Sequence, residues 1–507
     1  MKNINYVGIR SFFKDMLGYL PAQIVPAIAG IVFLPIITRF LPPQDYGYYT
    51  LVLTTIAVLS VFSGWVSMAV VRFYPACKDE KSIKQLYGSI FVWTTVSFAV
   101  LAIVFLSITF VLAGVMSPTL FNAMLLGVPL FVLLSLSEVL QSFLRVRRLV
   151  SWYTVFTTWK TLAGLGLGIW FVIVWSSGIK GLLWGSILAV ALAIPPLWAM
   201  ATRGIRFGFA NFSPNLSKEM AKYSFPLVVG NLAAWILSLS DRYIIEFFRE
   251  SFEVGLYSVS YRISESSIML LTSLFAFAFN PLSIIVWENQ GEEAARRFLE
   301  EGTRYFLILC LPAVAGLSVL QTKIVAVLAA REYLEGAIVL PWVALGVFLL
   351  GLAQRFGAGL SFHKRTAPSM VCLLAAGGLN LGLNFLFVPS FGYKAAAITT
   401  AASYGVLLAL MVWVSRRFFR WAFPFQSLIR VAIASAIMGA AIYPISNTIS
   451  ELPLVNLVVA VFSGILLYAI ALLLLGEIKP NERKVIKELA QRFLSGNIFS
   501  TCWRKRF

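Results

Sequence analysis

Charge is what this chain has least of. Only 12% of its 507 residues are Asp, Glu, Lys or Arg, with 22 acidic side chains, 41 basic ones and a single histidine, His363. A soluble domain carries about twice that share of charge. The four cysteines, Cys77, Cys310, Cys372 and Cys502, make no metal-ligand spacing, so neither a metal site nor a disulfide is expected. Strand-length alternation of polar and apolar residues is missing as well, which excludes a transmembrane barrel. The short loops hold no paired acid–base groups, which argues against an enzyme and calls for no cofactor.

What the chain has is apolar length. Hydrophobic residues make up 59% of the sequence, and the mean hydropathy is +0.85. That is more apolar surface than an aqueous core could hide, so lipid is the second solvent. A hydrocarbon layer of about 30 Å needs about 20 helical residues. Runs of that length place helices near 17–38, 47–71, 87–113, 120–143, 152–176 and 180–201. Further runs fall near 222–241, 255–286, 304–321, 337–361, 367–388, 394–415, 428–446 and 454–475, fourteen in all. The expected fold is an all-α integral membrane protein. The first run is too long for a signal-peptide core and reads as a true helix.

The connections set the orientation. Of the 41 Lys and Arg, 31 fall in alternate connections on one side, 7 on the other, and Lys160, Arg262 and Arg355 lie within helices. The bias expects both termini in the cytoplasm and the chain in the cytoplasmic, or inner, membrane. It also accounts for the +19 charge through anionic headgroups, with no nucleic acid needed.

The stretch from Lys218 to Tyr261 re-reads the start of the chain. Lys14-Asp15-Met16, an apolar run, Thr38-Arg39-Phe40 and Gly47-Tyr48-Tyr49 return as Lys218-Glu219-Met220, an apolar run, Asp241-Arg242-Tyr243 and Gly255-Leu256-Tyr257. Gly178-Ile179-Lys180-Gly181 returns as Gly392-Tyr393-Lys394-Ala395. This pattern predicts two six-helix lobes, 1–205 and 206–425, as parallel repeats. Residues 426–507 add two unrepeated helices and a tail whose Val485, Ile486, Leu489, Phe493 and Leu494 form one face of a surface-lying helix. With the repeat internal, a monomer is sufficient.

Fourteen helices, Ser240-Asp241-Arg242-Tyr243 before Val254-Gly255-Leu256-Tyr257, and Asn380-Leu381-Gly382-Leu383-Asn384 before Phe391-Gly392-Tyr393-Lys394 resemble the polysaccharide transport family. These are oligosaccharide repeat-unit flippases, of the O-antigen and exopolysaccharide type, within the multidrug, oligosaccharidyl-lipid and polysaccharide exporter superfamily. The resemblance implies two lobes alternately opening a central cavity, and an undecaprenyl-pyrophosphate-linked glycan as cargo for surface polysaccharide or lipopolysaccharide biosynthesis. It also implies polymerase or export machinery as a partner. A cation-coupled multidrug exporter of the same superfamily and a membrane glycan polymerase or ligase are the rival readings.

A charge at bilayer depth costs about 2.5–3.5 kcal/mol and should face water or a partner. Lys160 lies about 13 Å inside its helix and faces either the cavity or, by snorkelling, the headgroups. Trp159 beside it could stack on a sugar ring. Arg355 is a second candidate cavity cation, so that positive charge is expected to converge on the passage from both halves; it and its repeat counterpart Glu138 either pair as a gate or are unrelated structural groups. Arg262 and Glu265, three apart, suit a local ion pair. Arg39 and Arg242 end equivalent helices and Arg72 ends the second; each is a cavity cation or an interfacial anchor, with Asp241 a possible gating partner. Asn380 and Asn384, one turn apart, suit bonds across helices, and Gly164, Gly166 and Gly168 suit close helix packing.

Overall fold

In hydrocarbon every backbone N–H and C=O must find its partner within the chain, and the α-helix supplies one. The computed structural model describes residues 6–365, 367–448, 453–480 and 482–483, and among them there is no strand. The tail positions Val485 to Leu494 and Cys502 lie outside the described residues.

The first half comprises α1 (Tyr6–Val32), α2 (Leu34–Phe40), α3 (Pro43–Ser63), α4 (Trp65–Phe73), α5 (Glu80–Val111), α6 (Pro118–Val146), α7 (Val150–Trp175) and α8 (Gly178–Ala201). The second comprises α9 (Pro214–Leu239), α10 (Asp241–Phe248), α11 (Ser251–Val319), α12 (Gln321–Leu328), α13 (Val339–Phe362), α14 (Ala367–Phe391) and α15 (Tyr393–Ser415). Two more, α16 (Phe425–Thr448) and α17 (Pro453–Leu474), follow.

Thirteen segments among the described residues are long and apolar enough to cross a bilayer. One of them, α11, has 69 residues and would be about 100 Å long at helical rise, over three times the layer. It breaks at Gly291 (φ 82°, ψ −172°), a conformation that only glycine adopts readily. It therefore crosses twice, which gives the expected fourteen. The connection at 287–303 is helical, where the sequence suggested a loop. Arg296–Glu292 at 2.6 Å and Arg297–Glu293 at 3.2 Å hold its exposed turns through i,i+4 pairs.

The repeat is visible in detail. The first crossing breaks between α1 and α2 at Phe33, and the seventh breaks between α9 and α10 at Ser240. Gly178 (φ 55°) and Gly392 (φ 61°) open α8 and α15 in the left-handed region. In each half the same pairs pack: α1 on α7 as α9 on α14, α7 on α8 as α14 on α15, and α6 on α8 as α13 on α15. Of the expected glycines, Gly164 and Gly168 pack on α8, where a Cβ on Gly185 would lie 2.1 Å from the Gly168 nitrogen, whereas a Cβ on Gly166 would meet nothing within 4 Å. Asn380 donates to Thr400 at 3.2 Å and Thr399 to Asn384 at 2.5 Å, so both asparagines tie α14 to α15.

The halves close on each other at the end poor in Lys and Arg. A Cβ on Gly47 would lie 2.0 Å from the Ser251 carbonyl oxygen, and one on Gly255 would lie 1.8 Å from that of Pro43. These glycines are repeat equivalents, so α3 and the first arm of α11 cross where neither has a side chain. Tyr333 donates to the Leu41 carbonyl at 2.8 Å, and Tyr243 and Thr55 share a hydroxyl bond at 2.6 Å. At the basic end Trp65 stacks on Phe225 with centroids 5.5 Å apart, which joins α4 to α9.

Outside the bilayer span, Arg304 binds the end of the chain that follows α17. Its guanidinium meets Glu477 at 2.6 Å and Glu482 at 2.6 Å, and Glu477 is buried, at 1% exposure. Hydrogen bonds from Arg304 hold the Glu482 carboxyl at about 2, well below its ordinary 4.5. Its share of stability is present above 4.5 and fades as pH falls toward 2.

Two measurements follow from these contacts. Gly255→Ala forces the crossing apart, an overpacking cost of about 1–3 kcal/mol. In sealed vesicles an otherwise cysteine-free chain with Ser60→Cys should then label faster from the charge-poor face, and an unchanged rate would show that the crossing does not seal the halves. Arg304→Ala leaves Glu477 with only Arg430 at 3.7 Å and should cost about 3 kcal/mol, read as a lower thermal midpoint in detergent. Glu482→Gln should cost less and remove the loss of stability between pH 4.5 and 2.

Candidate substrate cavity

Side chains three, four and seven apart share one helix face. On α6 that spacing lines up Glu138, Gln141 and Arg145, and on α7 it lines up Tyr153, Thr157 and Lys160. With Ser60 of α3 and Leu134, these six enclose a cavity of about 300 Å³ inside the first half. The walls are cross-linked: Thr157 donates to Gln141 at 3.1 Å, Gln141 donates to Ser137 at 2.9 Å, and the Arg145 guanidinium stands 5.7 Å from the Tyr153 ring. Lys160 is half-buried and Glu138 exposed into the space. Among the described residues no ion pair within 4.0 Å joins them.

Arg145 also lines a larger cleft of about 680 Å³, which lies between the halves at the basic end. Tyr19 and Gln23 of α1 and Arg148 border it from the first half, and Ser273 and Asn280 of α11 from the second. The two spaces thus meet at Arg145 and carry three cations, Arg145, Arg148 and Lys160, against one carboxylate. Sequence reasoning had assigned Arg145 and Arg148 to a loop as orientation signals. The seven-residue offset of Arg145 from Glu138 is the sign that the two share a face.

The other embedded charges take different positions. Arg242 is buried, at 4% exposure, and is no cavity cation. It pairs with Asp241 at 2.9 Å, donates to the Ser238 carbonyl at 2.8 Å and lies 4.4 Å over Tyr261. Tyr257 donates to Asp241. The break at Ser240 turns this stretch into the second half's own packing, and Asp241 forms its ion pair there with the neighbouring Arg242. Arg39, the repeat equivalent, is exposed on α2 and has Thr38 in the Asp241 position.

Arg355, expected as the second half's cavity cation, lines neither space and does not meet Glu138. It is 2% exposed, surrounded by Phe275, Phe279 and Phe306 at 4.8, 5.2 and 5.6 Å. Its one hydrogen bond, to Asn280, is long at 3.5 Å. Arg262 forms no ion pair with Glu265 within 4.0 Å among the described residues; its guanidinium packs across Gly30 of α1, where a Cβ would lie 2.7 Å from a terminal nitrogen. Tertiary packing of α1 on α11 overrides the i,i+3 spacing. Arg262 is exposed at this junction of the halves, and Glu265 is half-buried behind it. Arg72 lies 5.8 Å over Tyr223 at the basic end. The Trp159 indole donates to the Ala189 carbonyl at 2.9 Å, which fixes its ring on α8. Among the described residues no group of three or more His, Cys, Asp or Glu could hold a metal.

The fold is that of the multidrug, oligosaccharidyl-lipid and polysaccharide exporters. It superposes on lipid II flippase MurJ in its inward closed conformation with a TM-score of 0.71, at 16% identity over 90% of this chain and 98% of that one. An inward-facing multidrug resistance MATE family transporter gives a TM-score of 0.65 at 12% identity, over 78% of this chain and 94% of that one. Residues 12–284, more than half of the sequence, match the family described as polysaccharide biosynthesis protein, and the chain belongs to that family. The probable low-salt glycan biosynthesis flippase Agl15 of Haloferax volcanii is 23% identical over 55% of this chain and 61% of its own length. The probable flippase AglR of the same organism is 24% identical over 56% and 59%. The chain thus spans about three-fifths of the curated flippases it matches.

The Asp241–Arg242 pair makes its own test. Asp241→Ala leaves a buried guanidinium uncompensated and should cost about 3–5 kcal/mol. Removing both groups should recover part of that loss. A thermal double-mutant cycle in detergent measures the coupling, and additive effects would show that the pair is energetically idle.

Proposed function

We propose that this protein is a flippase for a polyprenyl-linked oligosaccharide joined through phosphate or pyrophosphate, moved by alternating access between the two halves. The observation that carries this reading is the pair of cavities that share Arg145, with Lys160 in the smaller and Arg148 in the larger, which lies at the basic end. A charge at this depth is costly, and water or an ionic ligand offsets that cost. A phosphorylated headgroup supplies the anion, guanidinium and ammonium donors replace its hydration, and the prenyl tail remains in lipid. Gln141, Thr157 and Tyr153 add neutral hydrogen-bonding groups suited to sugar hydroxyls. The named flippases among the relatives, and the MurJ-like fold, support the same reading.

In this reading the basic end faces the cytoplasm, in line with the asymmetry of Lys and Arg, and the conformation described is the loading state, sealed outside by the Gly47–Gly255 crossing. The cycle makes and breaks contacts between halves, with no covalent step. A second reading rests on Glu138: a carboxylate in the cavity is what a cation-coupled multidrug exporter would use.

Reconstitution separates the two. In proteoliposomes containing a fluorescent polyprenyl-pyrophosphate oligosaccharide, Lys160→Glu should lower the flipping rate at least tenfold while leaving the thermal midpoint near that of the parent, and Lys160→Arg should retain most activity. Unchanged glycan flipping by Lys160→Glu removes Lys160 from the mechanism. Cation-driven drug efflux abolished by Glu138→Gln, with no glycan flipping by the parent, would establish the exporter instead.

A further inference from the structure

A second large space lies on the far side of α6. It measures about 830 Å³ and runs between α5, α6 and α8, walled by Phe91, Phe98 and Ala102 of α5, Leu136 of α6 and Trp198 of α8. On α6 the groove takes Val132 and Leu136, while the polar cavity takes Leu134 and Glu138. Residues two apart on a helix point about 200° from each other, so α6 is a wall between the two spaces. A lipid whose headgroup sits in the cavity cannot lay its chain in this groove.

Three features describe the occupant. Along α5 the groove extends from Gly88 to Ala102, about 21 Å at helical rise, which exceeds one leaflet of about 15 Å; that is the reach of a lipid chain. Its rim is open, since Ala99 and Thr95 are exposed on the α5 surface. Its mouth, at the basic end, is lined by exposed Arg206 of the linker that joins the halves. The third feature is polar: Thr94 is 4% exposed, lines the groove, and its hydroxyl has no hydrogen-bond partner among the described residues. Thr94 stands six residues beyond Gly88, about 9 Å into the groove. An unsatisfied buried hydroxyl is costly, and at that depth below a phosphate at the mouth stand the ester or ether oxygens of a glycerolipid. A polyprenyl phosphate has none to offer.

We propose that this groove is a binding site for one anionic glycerophospholipid of the leaflet at the basic end. Its phosphate meets Arg206, a glycerol-linkage oxygen accepts the Thr94 hydroxyl, and one chain lies between Phe98 and Leu136. The linker over the mouth is itself seated on α5. Ser213 donates its backbone N–H to Ser89 at 3.0 Å, and a Cβ on Gly88 would lie 2.9 Å from the Asn211 backbone. The lipid therefore sits under the one covalent link between the two halves. This inference does not depend on what the central cavity carries.

Native mass spectrometry of the delipidated full-length protein tests it, with phosphatidylglycerol, phosphatidylcholine and polyprenyl phosphate as probes. One phosphatidylglycerol per chain should be retained more strongly than phosphatidylcholine. Arg206→Gln should weaken retention about fivefold, the worth of one cation at the headgroup, and Thr94→Val should weaken both phospholipids. Ala99→Trp, which fills the rim, should remove the bound lipid. If that variant is not monodisperse, photo-crosslinking by a diazirine-acyl phosphatidylglycerol should label α5 between residues 88 and 102. Equal retention of the two phospholipids, indifference to Arg206→Gln, labelling elsewhere, or displacement by polyprenyl phosphate would each overturn the assignment.

Discussion

Hydrocarbon offers no hydrogen bonds, and every feature of this protein answers that constraint. The backbone answers it with helices, and the helix breaks occur where another group takes over the freed polar atoms. At Thr38 the hydroxyl donates back to the Leu34 carbonyl at 2.9 Å and accepts from the Ala330 amide at 3.2 Å. At the start of α15, Glu253 accepts the Tyr393 amide at 2.9 Å beside the left-handed Gly392. Side-chain charges answer it in two ways. In the second half Asp241 and Arg242 neutralise each other inside the protein, Arg355 is cushioned by rings, and Arg262 is exposed at the junction of the halves. Those of the first half face one another across space.

That difference decides which part of the sequence was readable. The helices, their number and the repeat were legible because periodicity and length are properties of the chain alone. Lys160 was legible too, since a single cation deep in an apolar run has few physical outcomes. Its cavity was not, because α6 had to be laid beside α7 before Glu138, Gln141 and Arg145 could face it. Arg242 was misjudged because the repeat equated it with Arg39, although the residue before it had changed from Thr38 to Asp241. One carboxylate converts an interfacial position into a buried pair, and symmetry of position does not carry over to symmetry of environment. Arg262 and Glu265 had the spacing of a pair, yet the close approach of α1 at Gly30 drew the guanidinium away.

The glycines show the opposite balance. Gly47 and Gly255 were marked only as punctuation of the repeat, and nothing in the sequence stated that they meet the other half. Their role follows from geometry: two helices related by a pseudo-two-fold axis must cross at equivalent residues, and the closest crossing needs the residue without a side chain. A contact made of backbone alone has no side-chain rotamers to reorder when it separates. It suits a seal that must open and reclose, whereas the aromatic stack of Trp65 on Phe225 at the other end buries large surfaces.

The two halves therefore differ in charge in spite of their repeated sequence pattern. On the proposed reading an anionic headgroup entering from the basic end meets Arg148 and Arg145 first, then Lys160 deeper on α7, all from the first half. The second half contributes Ser273 and Asn280, uncharged groups on the first arm of α11. Attraction thus resides on one lobe, and the moving wall opposite it is neutral. A cavity with cations on both lobes would hold an anion as a bridge and resist separation, since opening would break ion pairs in a low-dielectric space. On the same reading, charge on one side lets the halves part at the charge-poor end while the headgroup stays with the first. Release then depends on water reaching Lys160 and Arg145 from the newly opened side, where screening weakens their hold.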